Sequence, residues 1–193
     1  MGLGGGYMAI EIAKTCQTVI ACDLTMMSLQ RLKNNLEKLK ITNVVLCCCS
    51  ADNLPFKSGL FDSCCMNAVI EHVPKEDRAI AELARMIKAN GLLMMVAPLK
   101  YQFLNPLLLP INMIHDRLIG HLRRYDDKSI RKKFSTNFQL ETIWYTGHTT
   151  KVIQTIVNMI KLVFNERQIE SDDKKKEHKK WWASNICWQM KRK

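Results

Sequence analysis

Several features that would assign the chain to a special class of protein are missing from its 193 residues. The longest uncharged stretch, residues 101–115, contains two prolines and two asparagines and is too short to span a bilayer. The chain begins with a glycine-rich stretch rather than a basic segment followed by an apolar run, so we expect no secretory leader. With 8 Gly and 5 Pro it is neither collagen-like nor of low complexity. We therefore expect a globular protein located in the cytoplasm.

Zinc-site spacing is also absent, although the chain contains eight cysteines. No CxxC pair and no Cys/His cluster of the usual spacing occurs, so the sequence predicts no metal site. Adjacent cysteines lie within apolar runs, at 47–49 and 64–65, where thiols behave as small buried hydrophobic groups. Many thiols without evident partners are typical of a reducing compartment.

The charge is strongly unbalanced, with 29 Lys and Arg against 18 Asp and Glu and a net charge of +11. Residues 171–193 hold eight basic and three acidic side chains, a net +5, so nearly half of the excess lies at one end. Because the rest is only mildly basic, we do not expect nucleic acid as the partner. A lysine-rich run at 174–180 beside an apolar helix predicted at 151–164 is compatible with contact to an anionic membrane surface.

Apolar runs alternate with helical patterns along the first hundred residues. The patterns predict helices at 6–14, 25–40 and 75–89, the last ending at Asn90-Gly91, and strands at 18–22, 43–49, 60–66 and 92–97. Continuous apolar strands between helices indicate an α/β fold with a doubly wound, mostly parallel sheet. Residues 138–145 and 185–190 are predicted as a final antiparallel pair.

We expect one domain over 1–193, and no internal repeat is present. Residues 1–98 form its ligand-binding half and 99–170 a cap with helices and one strand. Residues 171–193 form a basic tail with the last strand.

A glycine-rich turn opens the sequence and allows close approach of the backbone to a ligand at a helix start. Two frames fit it. Gly2-x-Gly4-x-Gly6 is used around a nucleoside with an amino-acid tail, and Gly4-x-Gly6-x-x-Ala9 also fits a dinucleotide fingerprint.

Two further groups of polar residues follow predicted strands, where ligands bind in such sheets. Asp23 ends the first strand and can accept both hydroxyls of a ribose, or it can cap the helix before Thr25. The loop 50–56 (SADNLPF) offers Asp52 and Asn53 to an adenine edge and Leu54 to the face of the ring.

Taken together, the motifs GLGGG, ACD, SADNLPF, FD, NAVIEHV and NGLLMMVAP resemble a class I S-adenosylmethionine-dependent methyltransferase of the type 11 small-molecule group. The likeness covers residues 2–98, and the later segments 120–134 and 183–193 are similar to family segments. The resemblance implies S-adenosylmethionine as the cofactor, bound by residues at nine positions. They are Gly2, Gly4 and Gly6 at the methionine part, Asp23 at the ribose, Leu24, Asp52, Asn53 and Leu54 at the adenine, and Asn67 near the sulfonium.

Relatives of this family also have a strand ending in an acidic residue just before the first glycine. Only Met1 stands before Gly2, so that strand is missing from the sequence. Either the central position of the sheet is open, as in a truncated start or a shortened isoform, or another segment fills it. Two alternatives to a working small-molecule methyltransferase stay open: a catalytically impaired relative that acts as a binding protein, and an RNA methyltransferase.

The acceptor side is less sharply defined. Glu71 and His72 follow on a short helix that the resemblance places opposite the acceptor, and His72 is the candidate catalytic base. His115 and His121 are weaker candidates that we expect to be structural. Arg123 and Arg124 are predicted either to bind an acidic acceptor or to hold the cap through backbone groups and Asp126 or Asp127. Residues rich in Leu, Ile, Met and Val at 99–125 and 148–164 favour a small apolar or lipid-like acceptor.

Overall fold

The computed structural model describes residues 1–2, 6–104, 106–147, 176–181 and 183–193, without the side chains at 108, 111 and 115. The predicted helix at 151–164, Gly4 and the side chain of His115 therefore lie outside what is described. None of the helices in those ranges is long and apolar enough to cross a membrane.

Helices and strands alternate as the sequence predicts over the first half. The elements are α1 (Tyr7–Ala13), β1 (Val19–Asp23), α2 (Met26–Leu39), β2 (Val44–Cys48), β3 (Phe61–Asn67), a 3₁₀ turn (Ile70–His72), α3 (Glu76–Met86) and β4 (Ile87–Pro98). In the second half follow two 3₁₀ turns (Tyr101–Phe103 and Pro106–Leu108), α4 (Leu109–Ile119), α5 (Asp127–Phe134), β5 (Phe138–Thr146) and β6 (Asn185–Arg192).

One predicted boundary is wrong. The sequence predicts a helix to residue 89 with a stop at Asn90-Gly91, but α3 ends at Met86 and β4 already begins at Ile87. Ile87 pairs with Phe61 of β3, and Asn90 adopts a left-handed conformation at φ 64° within β4. The Asn-Gly signal therefore marks an irregularity in the strand, where the register shifts, rather than the end of a helix.

Hydrogen bonds divide the described strands into two groups. β1 and β2 pair in parallel, and β3, β4, β6 and β5 form a second sheet in that order. β3 pairs with β4 in parallel, whereas β6 is antiparallel to both β4 and β5, which confirms the predicted antiparallel end. The mixed, mostly parallel α/β architecture expected from the sequence is thus present.

The position between β1 and β3 is occupied at one end only, by the first two residues. The amine of Met1 donates to the carbonyl of Cys65 at 2.6 Å, and the amide of Gly2 donates to the carbonyl of Cys22 at 3.1 Å. Below them a cavity of about 390 Å³ separates the two strands. We call this cavity the slot; no described strand lies in it.

The core has two parts that correspond to the two sheets. The larger is built around Trp188, whose ring lies 5.8 Å from Phe134 and 6.0 Å from Tyr125, all three fully buried. The smaller joins α1, α2 and β1 through Ala9, Ala21, Leu32 and Leu36. Apolar burial on this scale stabilises both sheets and fixes the ends of β1, β2 and β3, where the polar residues gather.

Candidate functional site

A cavity of about 640 Å³ opens at the carboxyl ends of β1, β2 and β3. We call it the main cavity. Its walls include Gly2, Asp23, Leu24, Asn67 and His72, five of the residues predicted from the sequence. This is the edge of an open α/β sheet at which ligands bind, because the loops after parallel strands diverge there.

Gly2 lies at a close approach of the backbone to Val69 in this wall. Its φ is 75°, and a Cβ built at this position would lie 1.9 Å from Cγ2 of Val69. A side chain at this position would therefore overlap Val69, which also lines the cavity. Glycine is required here both for its left-handed conformation and for the close approach.

Asp23 is held in a fixed orientation at the rim. Its Oδ1 accepts hydrogen bonds from the amide and the hydroxyl of Thr25, each at 2.9 Å. Thr25 begins α2, but its hydroxyl contacts Asp23 and Ser28 instead of capping the helix backbone. The following residue, Leu24, lines the cavity with 72% of its surface exposed.

The remaining predicted residues lie elsewhere. The 50–56 loop reaches the main cavity through Ser50 and Ala51, whereas Asp52, Asn53 and Leu54 are not part of its described lining. Asp52 accepts a 2.5 Å hydrogen bond from Ser50, and Leu54 is buried in the larger core. Their assignment to an adenine edge stays a prediction.

Gly6 also has a packing role. A Cβ at Gly6 would lie 2.7 Å from Cδ1 of Leu32, so this glycine allows α1 to pack closely on α2. It begins α1 at φ 78° and is not among the described residues that line the main cavity. Of the three predicted glycines, Gly2 alone is described at the cavity wall, since Gly4 is outside the described residues.

A clamp that the sequence analysis missed holds the 50–56 loop. Glu82 of α3 accepts a hydrogen bond from the amide of Leu54 at 2.8 Å and from Arg85 at 2.7 Å. Arg85 in turn donates to the carbonyls of Leu54 and Phe56. The hydrogen bond from Arg85 lowers the pKa of Glu82 to about 2. The i,i+3 spacing of Glu82 and Arg85 predicts an ion pair on a helix, but it does not show that the pair binds the 50–56 loop.

On the acceptor side, Arg123 and Arg124 hold the chain rather than face the cavity. Arg123 donates to the carbonyls of Ile70 and Val73, and Arg124 donates to the carbonyl of Leu99. The carboxylate partner of Arg124 is Asp116, at 2.6 and 2.7 Å, not Asp126 or Asp127. Asp126 caps α5 and pairs with Lys100 instead.

Beside this network lies a group of two imidazoles and one carboxylate. Glu71 is fully buried, and neither carboxylate oxygen has a hydrogen-bond partner among the described residues. Nε2 of His121 lies 3.7 Å from Oε1 of Glu71, and Nδ1 of His121 lies 2.7 Å from Oδ1 of Asp116. Burial raises the pKa of Glu71 to about 7. Burial opposes the charge of Asp116 as well, but hydrogen bonds from Arg124, Tyr101 and His121 outweigh it and hold that pKa at about 2.

His72 connects this group with the main cavity. It lines the cavity, its Nδ1 lies 3.1 Å from the carbonyl oxygen of Gly120, and its ring centroid is 4.9 Å from that of His121. The structure thus brings His72 and His121 together from segments 49 positions apart, which no spacing in the sequence could show.

Comparison with known proteins gives a family for this geometry. The profile of a methyltransferase domain, of type 11, matches residues 1–95. The N-methyltransferase NodS from Bradyrhizobium japonicum, solved with S-adenosylhomocysteine, has the same fold with a TM-score of 0.65 at 10% identity, over 99% of this chain and 74% of that one. Residues 1–95 thus match the methyltransferase-domain family, and the chain has the fold of the class I methyltransferases.

Two curated relatives match parts of this chain. A tRNA (carboxymethyluridine(34)-5-O)-methyltransferase, alkbh8 of Xenopus tropicalis, is 36% identical over 72 residues, which are 36% of this chain and 12% of the frog protein. An S-adenosylmethionine-dependent methyltransferase of Mycobacterium tuberculosis is 29% identical over 116 residues, 60% of this chain and 40% of that protein. The chain therefore spans less than half the length of these relatives.

Proposed function

We propose that the chain transfers the methyl group of S-adenosylmethionine to a small, apolar acceptor. The observation that carries the proposal is the joint position of Gly2, Asp23 and Asn67 on the wall of one cavity at the carboxyl ends of three strands. The cavity of about 640 Å³ is within the range of sites for ligands of this size. Gly2, which has no side chain, leaves the backbone of the cavity wall accessible to such a ligand.

The residues that line the main cavity have separate roles toward the donor and the acceptor. S-adenosylmethionine supplies a methyl group that its sulfonium already activates. Asp23, whose orientation Thr25 fixes, accepts hydrogen bonds from the ribose hydroxyls of the donor. Leu24 provides an apolar surface for its adenine ring. Since methyl transfer is an in-line displacement, the protein mainly has to orient the two partners and exclude water. His72 lines the same cavity, where it can contact the acceptor.

An apolar acceptor is supported by the surface next to the cavity. Several large apolar side chains of α4 and the following turn are exposed, among them Ile114 at 60%, Leu118 at 80% and Leu122 at 56%. Leu122 donates its amide to the carbonyl of Glu71, so this surface is tied to the His72 turn. Exposed apolar groups in one segment are typical of a surface that binds apolar ligands or partners.

Calorimetric titration with S-adenosylhomocysteine tests the donor site. We expect micromolar affinity, reduced at least tenfold in Asp23→Ala, and unchanged in Asp62→Ala. Asp62 is a matched control because it is an exposed aspartate whose carboxylate pairs with Lys88 at 2.7 Å, away from the cavity lining. Equal affinity in both variants, or no binding by the folded chain, would contradict the proposal and favour the impaired relative.

The acceptor class needs a separate measurement. Initial rates with alkylphenols of increasing chain length should rise with the apolar length if α4 contributes to binding, and Leu118→Ser should flatten that rise. An RNA acceptor is the rival, because the frog relative is named a tRNA methyltransferase. Methylation of tRNA with a steep salt dependence, and none of phenols, would support the rival instead.

A further inference from the structure

We propose that Glu71, His72 and His121 form a binding site for a divalent transition metal such as Zn²⁺ at the wall of the main cavity. One carboxylate oxygen of Glu71 and one nitrogen of each imidazole lie within 4.8 Å of one another. Two histidines and one glutamate are a donor set of three-ligand zinc sites, in which a further position stays open.

The carboxylate is the first argument. Glu71 is fully buried with both oxygens lacking a hydrogen-bond partner among the described residues, a costly arrangement for a carboxylate. Asp116 does not share this problem, since Arg124 and His121 both contact it. The guanidinium of Arg124 is thus paired with Asp116. A cation between Glu71 and the two imidazoles would balance the charge of the Glu71 carboxylate.

The orientation of the histidines is the second argument. A carbonyl oxygen and a carboxylate can only accept, so Nδ1 of His72 donates to Gly120 and Nδ1 of His121 donates to Asp116. In each ring the lone pair is then on Nε2, the nitrogen that would bind a metal. For His121 this nitrogen lies 3.7 Å from Oε1 of Glu71. Metal-binding histidines usually donate their second nitrogen to a carbonyl or a carboxylate in this way.

The mixed nitrogen and oxygen donors decide the class of ion. Two imidazoles suit Zn²⁺, Co²⁺ and Ni²⁺, whereas Mg²⁺ and Ca²⁺ prefer oxygen ligands alone. The Zn–N and Zn–O distances of about 2.0–2.2 Å would draw the three groups together by a modest movement. Because His72 lines the main cavity, the open position would face it, and His72 would then act as a ligand rather than as a base.

A second group of possible donors must be separated from this one. The thiols of Cys22, Cys47 and Cys49 also lie within 4.8 Å of one another, on β1 and at the end of β2. Two of these cysteines line the same cavity. A metal held there would have sulfur ligands and a different spectrum, so cobalt is a suitable probe.

The test is titration of the full chain, freed of metal by a chelator, with Co²⁺, followed by its visible absorption. We expect one saturable site with the intense bands of a low-coordinate ion and no thiolate charge-transfer band, and displacement of cobalt by Zn²⁺. The affinity should fall at least tenfold in Glu71→Gln and in His72→Ala, with the circular dichroism of each variant unchanged. His178→Ala, in an exposed His–Glu pair, should bind as the parent does.

Other results would overturn the proposal. These are no saturable binding by the folded chain, binding that survives both substitutions, or binding that is lost in Cys47→Ser and so belongs to the thiols. Since the readout is metal binding without donor or acceptor, its failure is distinct from failure of the proposed methyl transfer. The substitution His72→Ala keeps the conclusion open to test if Glu71→Gln does not fold.

Discussion

Met1 and Met66 are neighbours in a parallel ladder. The amine of Met1 donates to the carbonyl of Cys65 at 2.6 Å and its carbonyl accepts from the amide of Asn67 at 3.4 Å, which is the bonding pattern of a parallel strand opposite residue 66. Gly2 continues the pattern on the other side, toward Cys22. Met1 and Gly2 thus join the two sheets at the edge of the main cavity. The geometry of the cavity therefore depends on how these two residues bridge β1 and β3.

Gly2→Ala should therefore impair ligand binding. The new Cβ would lie 1.9 Å from Val69 and the left-handed backbone would be strained, so the two-residue bridge must move. We expect at least a tenfold loss of S-adenosylhomocysteine affinity by calorimetry. Gly59→Ala is the control, because Gly59 has φ 62° but open space around its Cβ position. Both variants should lose about 1 kcal/mol to strain, but Gly59→Ala should keep the affinity. Equal loss of affinity in both would argue against a role of the close approach.

Acid should release the 50–56 loop through Glu82. The pKa of Glu82 is about 2 in the folded chain, below its ordinary 4.5, because of the hydrogen bond from Arg85. Its contribution to stability is therefore complete above about pH 4.5 and is lost as the pH falls toward 2. We expect Glu82→Gln to lower the free energy of unfolding at neutral pH by on the order of 2 kcal/mol, and to flatten its pH dependence between 2 and 5.

Urea unfolding at a series of pH values measures this effect. Glu37→Gln, at an exposed carboxylate of α2, provides the control and should follow the parent curve. An unchanged slope in Glu82→Gln would mean that the clamp does not stabilise the fold.

Arg124→Lys should be destabilising although it keeps the charge. Arg124 donates through two nitrogens to Asp116 and through a third to the carbonyl of Leu99, and its guanidinium lies 4.3 Å from the centre of the Tyr101 ring. A lysine cannot reproduce this planar arrangement, so we expect a loss of about 1–3 kcal/mol in urea unfolding. Lys88→Ala removes an exposed ion pair with Asp62 and should change the stability by less than about 0.5 kcal/mol. A loss of the same size in both variants would contradict the expectation that the buried Arg124–Asp116 pair stabilises the fold more than the exposed Lys88–Asp62 pair.

The cysteines should differ in reactivity. Cys16 and Cys48 are exposed, whereas burial raises the pKa of Cys22 and raises that of Cys49 to about 11, so that fewer thiolates form. Brief treatment with iodoacetamide at pH 8 followed by mass spectrometry should find Cys16 and Cys48 modified first. Urea should remove the difference. Uniform labelling of the folded chain would instead show that the thiols of Cys22 and Cys49 are accessible.

The sequence was most informative where structure depends on neighbouring residues. The β1–α2–β2 unit was predicted to within two residues, because its apolar periodicity and its Asp23 boundary are local signals. The end of α3 was wrong, since the pairing of Ile87 with Phe61 overrides the local Asn-Gly signal.

Long-range contacts in the candidate site could not be foreseen. The pairing of Arg124 with Asp116 depends on how α4 and the following turn fold back, and the approach of His121 to His72 depends on the hydrogen bond between Gly120 and His72. Packing roles were hidden as well: Gly6 and Leu54 lie in sequence motifs that point to a ligand, but in the structure they contact other elements of the core.

The slot also matters for the behaviour of concentrated solutions. An open sheet normally has two edges, but the described strands of this chain present two more, the facing sides of β1 and β3 beyond Met1 and Gly2. Backbone groups at a strand edge pair readily with strands of other molecules, which is how edge-to-edge aggregation begins. If the hydrogen bonds of Met1 and Gly2 opened, the ends of both inner edges would be unpaired as well, and each edge would be available over its full length. We therefore expect the tendency of the protein to aggregate to follow the strength of that bridge rather than the amount of apolar surface.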